Sequence, residues 1–143
     1  MAIGMRKRPK AAPADAAEAV LQRLAFNREG LIGAVAQQFD TGEVLMFAWM
    51  DRAAVAETIR TGKVSYWSRS RRRLWRKGER SGQNQRLVEL RFDCDQDALL
   101  LLVDQNGVAC HTGRRSCFFT ALRGGKLETV AEVVVDPKTL FGA

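Results

Sequence analysis

The stretch Leu31-Ile32-Gly33-Ala34-Val35-Ala36-Gln37-Gln38-Phe39-Asp40-Thr41-Gly42-Glu43-Val44-Leu45-Met46-Phe47-Ala48-Trp49 decides the fold of this chain. Two short apolar runs, 31–39 and 43–49, flank Asp40-Thr41-Gly42, whose residue types suit a tight turn. The reading is a β-hairpin. Outward from it, short apolar segments recur with few helical signals, and residues 63–68, 85–93, 98–104, 116–122 and 127–135 are further strand candidates. Residues 16–24 suit a short helix. Asp51 suits the N-cap of another helix running to Arg60, with Ala54, Val55, Thr58 and Ile59 on one face and Gly62 at its end. The expected fold class is α+β, a mostly antiparallel sheet with one or two short helices and no internal repeat.

A chain of 143 residues, 46% of them hydrophobic, suits one domain with a proper core. The expected organisation is a basic, Ala-rich flexible leader at 1–17, a single domain at 18–135 and a tail at 136–143. No apolar run approaches the roughly 20 residues needed to cross a bilayer, and the N-terminus lacks the apolar stretch of a secretory signal. A soluble, cytoplasmic protein is expected. Its 3 cysteines are an odd number, unsuited to a disulfide framework and free for metal in a reducing compartment.

Those cysteines, Cys94, Cys110 and Cys117, lie close together in sequence with the sole histidine, His111, and the alternating acids Asp93, Asp95 and Asp97. Thiolates and imidazole suit zinc, while clustered carboxylates suit magnesium or a similar hard ion. On the strand leading into the acids, Val88, Leu90, Phe92 and Cys94 share the apolar face. Glu89, Arg91, Asp93 and Asp95 share the polar one, and Asp97 joins them if the strand continues that far. One ion cannot use both sets, so two metal sites are expected, with Cys94 free to complete a site on another subunit.

Cys110 and Cys117 flank His111-Thr112-Gly113-Arg114-Arg115-Ser116, a loop able to turn both sulfurs toward one ion. The spacing is not that of a zinc finger. Three thiolates leave an open zinc position, where a bound water has its pKa lowered toward neutrality and can attack an electrophilic carbon. His111 is either a fourth ligand or a proton carrier.

The formal charge is +7, and a dense basic block carries much of it: Arg69, Arg71, Arg72, Arg73, Arg76, Lys77 and Arg80 against Glu79. Forked Arg donors mixed with Ser and Gly suit phosphate recognition, and Trp67 and Trp75 suit stacking on a base. Nucleic-acid binding draws on the same residue types and is the sharpest competing function. The enzyme reading demands a reaction that depends on the cysteines; the binding reading demands salt-dependent affinity for RNA or DNA that survives their loss.

Four motifs carry a resemblance to a known family. Tyr66-Trp67-Ser68-Arg69-Ser70-Arg71, Leu74-Trp75-Arg76-Lys77-Gly78-Glu79-Arg80-Ser81-Gly82, Asp93-Cys94-Asp95-Gln96-Asp97-Ala98-Leu99-Leu100 and Ala109-Cys110-His111-Thr112-Gly113-Arg114-Arg115-Ser116-Cys117-Phe118 closely resemble the phosphoribosyl-AMP cyclohydrolases of histidine biosynthesis. The likeness runs over residues 26–122, with no departure at the motif positions. It implies hydrolytic opening of the adenine ring of 1-(5-phosphoribosyl)-AMP between N1 and C6 by zinc-activated water. It also implies an intertwined homodimer, with Cys110 and Cys117 of one subunit and Cys94 of its partner as zinc ligands, and Asp93, Asp95 and Asp97 as a magnesium site. His111 is then the catalytic proton carrier. Trp67, Ser68, Arg69, Ser70, Arg71, Trp75, Lys77, Gly78, Glu79, Ser81 and Gly82 are the substrate-binding candidates. Neither nucleic acid nor membrane is expected as a partner. Some members of the family are fused to a pyrophosphohydrolase; this length leads us to expect the single activity.

Overall fold

The turn at Asp40-Thr41-Gly42 closes a hairpin between β1 (Ile32–Gln38) and β2 (Val44–Met50) in the computed structural model, which describes residues 14–140. Gly42 sits at φ +80, a conformation that disfavours side chains, and its N–H donates to the Gln38 carbonyl at 3.0 Å. The register is antiparallel from Ile32↔Met50 to Ala36↔Met46 and resumes at Gln37↔Val44. Leu45 is therefore an extra residue, a β-bulge whose carbonyl is released from the ladder.

The remaining elements are α1 (Ala14–Arg23), α2 (Arg52–Thr61), β3 (Ser65–Ser68), β4 (Arg73–Arg76), β5 (Gln85–Phe92), β6 (Ala98–Gln105), β7 (Thr120–Arg123), β8 (Lys126–Thr129) and α3 (Pro137–Leu140). Six strands form one sheet in the order β4-β3-β2-β1-β6-β5, and β7 pairs with β8 apart from it. All pairings are antiparallel except β1 with β6. The α+β architecture with a mostly antiparallel sheet is as expected.

The two longer helices cover one face of the sheet. Leu21 and Leu24 pack with Val55 and Ala54 against Ile32, Ala34, Leu45, Met50, Tyr66, Leu99, Leu101 and Val103. In β6 the alternation is regular, with Leu99, Leu101, Val103 and Gln105 buried and the intervening residues half-buried. The helix α2 begins and ends as its sequence requires. Asp51 Oδ1 accepts from the Ala54 N–H at 2.8 Å, and Gly62, at φ +74, donates to the Thr58 carbonyl. Such an N-cap contributes about 1 kcal/mol.

Several expectations need correction. Residues 14–17, placed in the leader, belong to α1, and Ala17 is fully buried; residues 1–13 lie outside the described part of the chain. Residues 136–140, expected as tail, include α3, whose Leu140 is buried. Residues 116–122 are strand only from Thr120, and of 127–135 only the beginning is strand. The basic block, which is not among the strand candidates, contains β4, joined to β3 by a turn in which Arg72 takes φ +54.

The alternation used to separate Cys94 from the acids also fails. A register shift at Val88 breaks β5, leaving Val88 exposed, and the strand ends at Phe92 before the acids begin. Residues 93–96 are a turn, closed by the Gln96 N–H on the Asp93 carbonyl, with Gln96 at φ +65. Pairing partners run out there, so no strand geometry governs Cys94.

Candidate active site and metal centre

The bulged Leu45 carbonyl accepts from the N–H of Cys117 at 2.7 Å, and Ser116 Oγ donates to the neighbouring Val44 carbonyl at 2.7 Å. The cysteine loop is thereby fastened to the sheet at the bulge of β2. Its other end is held by the Ala109 N–H on the Arg115 carbonyl and the Cys110 N–H on the Arg114 carbonyl. These bonds fold the loop back on itself, so Cys110 and Cys117 come to line the same cleft. Thr112 Oγ1 donates to Cys110 Sγ at 3.0 Å.

Arg115 braces the arrangement. Its guanidinium reaches Glu43 Oε1 at 3.1 Å, Gln38 Oε1 at 2.8 Å and the carbonyls of Gln105 and Gly107. Behind it runs a buried amide chain: Tyr66 Oη donates to Gln85 Oε1 at 2.7 Å, and Gln85 Nε2 donates to Gln105 Oε1 at 2.8 Å. Gln105 Nε2 continues to the carbonyls of Asn106 and Val108, which lead into Cys110. Buried polar groups satisfied in this way rigidify what they support. Sequence reasoning passed over Gln85, Gln105 and Arg115 as supports, since polar residues on a strand look solvent-facing until their partners are known.

A cleft of about 440 Å³ opens beside the loop, with Cys110, His111 and Cys117 on one side. Of the substrate-binding candidates, Ser68, Ser70, Arg71 and Trp75 line it, as do Lys77, Gly78, Glu79 and Ser81. Gly82 lies outside its lining. Trp67 and Arg69 line a separate smaller pocket of about 190 Å³ with Glu29, Leu31, Asp51 and Arg72. That separation follows from the hairpin: Trp67 pairs with Trp49 on β2, and consecutive strand residues face opposite sides. The cleft also contains Met46, Arg76, Arg80, Gln83, Val108, Ala109 and Leu140, none of them among the substrate-binding candidates. Arg76 and Arg80 were visible as charge; Leu140 had no signal in the sequence.

Lys77 lies deep in this cleft. Its Nζ donates to the Ala109 carbonyl at 2.6 Å and lies 5.9 Å from the Trp75 ring centre. Burial lowers its pKa from the ordinary value, and the nearby sulfurs of Cys117 and Cys110 oppose that shift. Burial pushes the Cys117 thiol up to about 11, with further contributions from Cys110 and an opposing one from Lys77. Cys117 is exposed by surface area as a residue. The direction of the shift follows the thiol itself, which points among Cys110 and Lys77.

Asp93, Asp95 and Asp97 converge at the end of β5, each with a carboxylate oxygen within 4.8 Å of the others. The turn brings them together: Asp93 Oδ1 accepts from the N–H of Asp97 at 3.0 Å and of Ala98 at 3.3 Å. The negative charge of Asp93 and its hydrogen bond hold the Asp97 carboxyl above its ordinary value. A divalent cation would relieve that repulsion, so the donor set fits a hard ion. Cys94 is exposed in the same turn. Among the described residues it forms no metal-sized group with Cys110 and Cys117.

The family described as phosphoribosyl-AMP cyclohydrolase matches residues 46–119, which include the cleft's basic wall, the acidic turn and the cysteine loop. A protein of Alkalilimnicola ehrlichii named phosphoribosyl-AMP cyclohydrolase is 65% identical over 123 residues, covering 86% of this chain and 87% of its own length. One of Rhodospirillum centenum with the same name is 62% identical, covering 87% of this chain and 94% of its own length. Another, from Hydrogenovibrio crunogenus, is 57% identical over 87% of this chain and 84% of its own length. Matches of this extent, spanning every motif around the cleft, place the chain in the phosphoribosyl-AMP cyclohydrolase family.

Proposed function

We propose that this protein hydrolyses the N1–C6 bond of the adenine ring in 1-(5-phosphoribosyl)-AMP, giving the phosphoribosylformimino-aminoimidazole-carboxamide ribotide of histidine biosynthesis. The observation that carries the reading is the cleft that brings Cys110, Cys117 and His111 together with Trp75, Arg76, Lys77 and Arg80. A nucleotide with a phosphate at each end needs both a flat apolar contact and cationic donors. Arg76 adds a further cation to this wall, its guanidinium held in place by Glu57 Oε2 at 3.1 Å.

Two thiols are half a zinc site, and their adjacency fits that ion. Cys110 and Cys117, together with Cys94 of the partner subunit, are the residues that would hold it. A zinc ion there supplies a water whose pKa is lowered toward neutrality. Trp75 and the basic residues orient the purine so that C6 faces that water. As the C6–O bond forms and the N1–C6 bond breaks, His111, at the cleft edge, delivers the proton that N1 requires. Asp93, Asp95 and Asp97 would hold magnesium.

The homodimer rests on surfaces that one chain leaves uncovered. The sheet face opposite the helices presents Phe47, 47% exposed, beside half-buried Val35, Trp49, Leu100 and Leu102. The β7–β8 hairpin stands outside the main sheet with Leu122 and Leu127 exposed. An isolated two-stranded ribbon is marginal in water, and contiguous apolar surface of this kind marks an interface. The described residues contain no helix long and apolar enough to cross a membrane.

The test is ring opening of phosphoribosyl-AMP, followed by its ultraviolet change, after loading with zinc and magnesium. Turnover is expected, and Cys110→Ser should abolish it with the circular-dichroism spectrum retained. Absence of turnover by the fully loaded wild-type protein would sink the proposal.

A further inference from the structure

The family match ends at residue 119, yet the chain beyond it returns to the cleft. Gly113, between Cys110 and Cys117, is the contact point. Its N–H donates to the Cys110 carbonyl at 3.0 Å, and its own carbonyl accepts from both Val134 and Val135, at 2.9 and 3.1 Å. Arg114 Nε donates to the Ala131 carbonyl at 2.9 Å, and its guanidinium stacks 4.0 Å from the Phe119 ring centre. Any side chain at Gly113 would run into the Val135 carbonyl, and the residue takes φ +87. The loop and the later segment are thus pressed backbone to backbone, which only glycine permits.

After this crossing the chain turns at Asp136, whose Oδ1 accepts from the Lys138 N–H and whose carbonyl accepts from the Thr139 N–H. The turn starts α3 and swings Leu140 inward. Leu140 is 6% exposed in a segment otherwise largely open to solvent, and it lines the cleft together with Met46, Trp75, Val108 and His111. A leucine buried at the cleft supplies an apolar surface in a lining otherwise rich in cations.

We infer that residues 131–140 are a strap that completes the substrate site: Leu140 forms the apolar wall against which the purine packs, and the strap clamps the cysteine loop at Gly113. The first half rests on the nucleotide reading of the cleft. The second rests on the backbone contacts alone. Leu140 touches substrate in this account and is a specificity-determining residue, because an apolar wall accepts a flat heterocycle and contributes nothing to the phosphates. Residues 131–135 are positioning residues that act through Gly113.

The test uses the full chain loaded with zinc and magnesium. Leu140→Ala is expected to raise KM for phosphoribosyl-AMP about tenfold with kcat changed far less, since loss of a few methylenes from an apolar pocket weakens binding by such factors. Leu140→Met should recover most of the loss, and both variants should retain wild-type zinc content. A KM within about twofold of wild type in Leu140→Ala, with wild-type turnover intact, overturns the wall while leaving the proposed function standing. Were the wild type itself inactive, the dissociation constant of AMP, read by quenching of tryptophan fluorescence, decides the same question by the same factors. For the clamp, amide exchange at Val134 and Val135 is measured with and without zinc. Slower exchange on loading is expected, and equal rates in the two states overturn it.

Discussion

Lys77 Nζ donates a 2.6 Å hydrogen bond to the carbonyl of Ala109, tying the end of β4 to the residue before Cys110. The basic wall and the cysteine loop are thus one mechanical unit. Lys77→Met leaves that carbonyl without a donor in a buried setting, a loss of about 1–3 kcal/mol. Its melting temperature should fall, and its zinc affinity should weaken because the loop is released. Lys77→Arg should not restore either property, since a planar fork cannot take the place of a compact ammonium. Thermal unfolding and competitive zinc titration of the three proteins check this; equal zinc affinity in all of them would remove the coupling.

Gly78 adopts φ +83, and a Cβ there would lie 2.5 Å from the Asn84 backbone nitrogen. Backbone cannot yield as a flexible side chain does. Gly78→Ala should destabilise the protein by about 1–3 kcal/mol and raise KM, because Lys77 and Glu79 beside it line the cleft. By contrast Gly62, also at positive φ, has open space around the added carbon, so Gly62→Ala should cost about 1 kcal/mol and leave KM unchanged. Denaturant melts with steady-state kinetics separate the two.

Alkaline pH should destabilise the metal-free protein. The Cys117 thiol is raised from 9.0 to about 11, chiefly by burial. Burial, with a contribution from Cys117 and against the hydrogen bond from Gln85, likewise raises the Tyr66 hydroxyl above its ordinary 10.0. Both groups hold their proton more tightly when folded. The Cys117 contribution is fully present below its unfolded value and is lost as pH climbs from about 9 through 11, while that of Tyr66 starts to be lost only above 10.0. The apo melting temperature should therefore drop across that window. Cys117→Ser should flatten the lower part of the drop, and a pH-independent melting temperature there would contradict the assignment.

Subunit mixing tests the shared thiolate site. Cys94→Ser and Cys110→Ser proteins, each inactive alone, should recover activity when exchanged, because one heterodimer site then keeps all three sulfurs. Up to about a quarter of wild-type activity is expected from statistical pairing, since half the dimers form with one of two sites intact. No recovery, with exchange verified by mass spectrometry, would place Cys94 outside the site.

The parts legible in the sequence are those governed by neighbours along the chain. The hairpin at Asp40-Thr41-Gly42 and the helix from Asp51 to Gly62 carry their turn and cap residues locally, and both formed as their residues require. The carboxylates of Asp93, Asp95 and Asp97 do converge, yet through a turn in place of the strand expected for them. Periodicity cannot show where a strand loses its partner, so the end of β5 at Phe92 and the bulge at Val88 were hidden. Likewise the arginine-rich hairpin gave no strand signal, because solvent-facing strands of an edge carry charge as readily as loops do.

By itself the sequence determined the donor set, the charge and the family: which atoms can bind zinc, a hard ion or phosphate is a property of residue type. Only the tertiary structure decided which of them meet. Trp67 and Trp75, both stacking candidates in sequence, fall in different pockets because strand register sends them to different sides. Cys117 reaches Cys110 because a bulge leaves the Leu45 carbonyl free, and Leu140 reaches the cleft because Gly113 lets a distant backbone press close. Those are long-range contacts, set by hydrogen-bond partners far apart along the chain, and no local pattern encodes them.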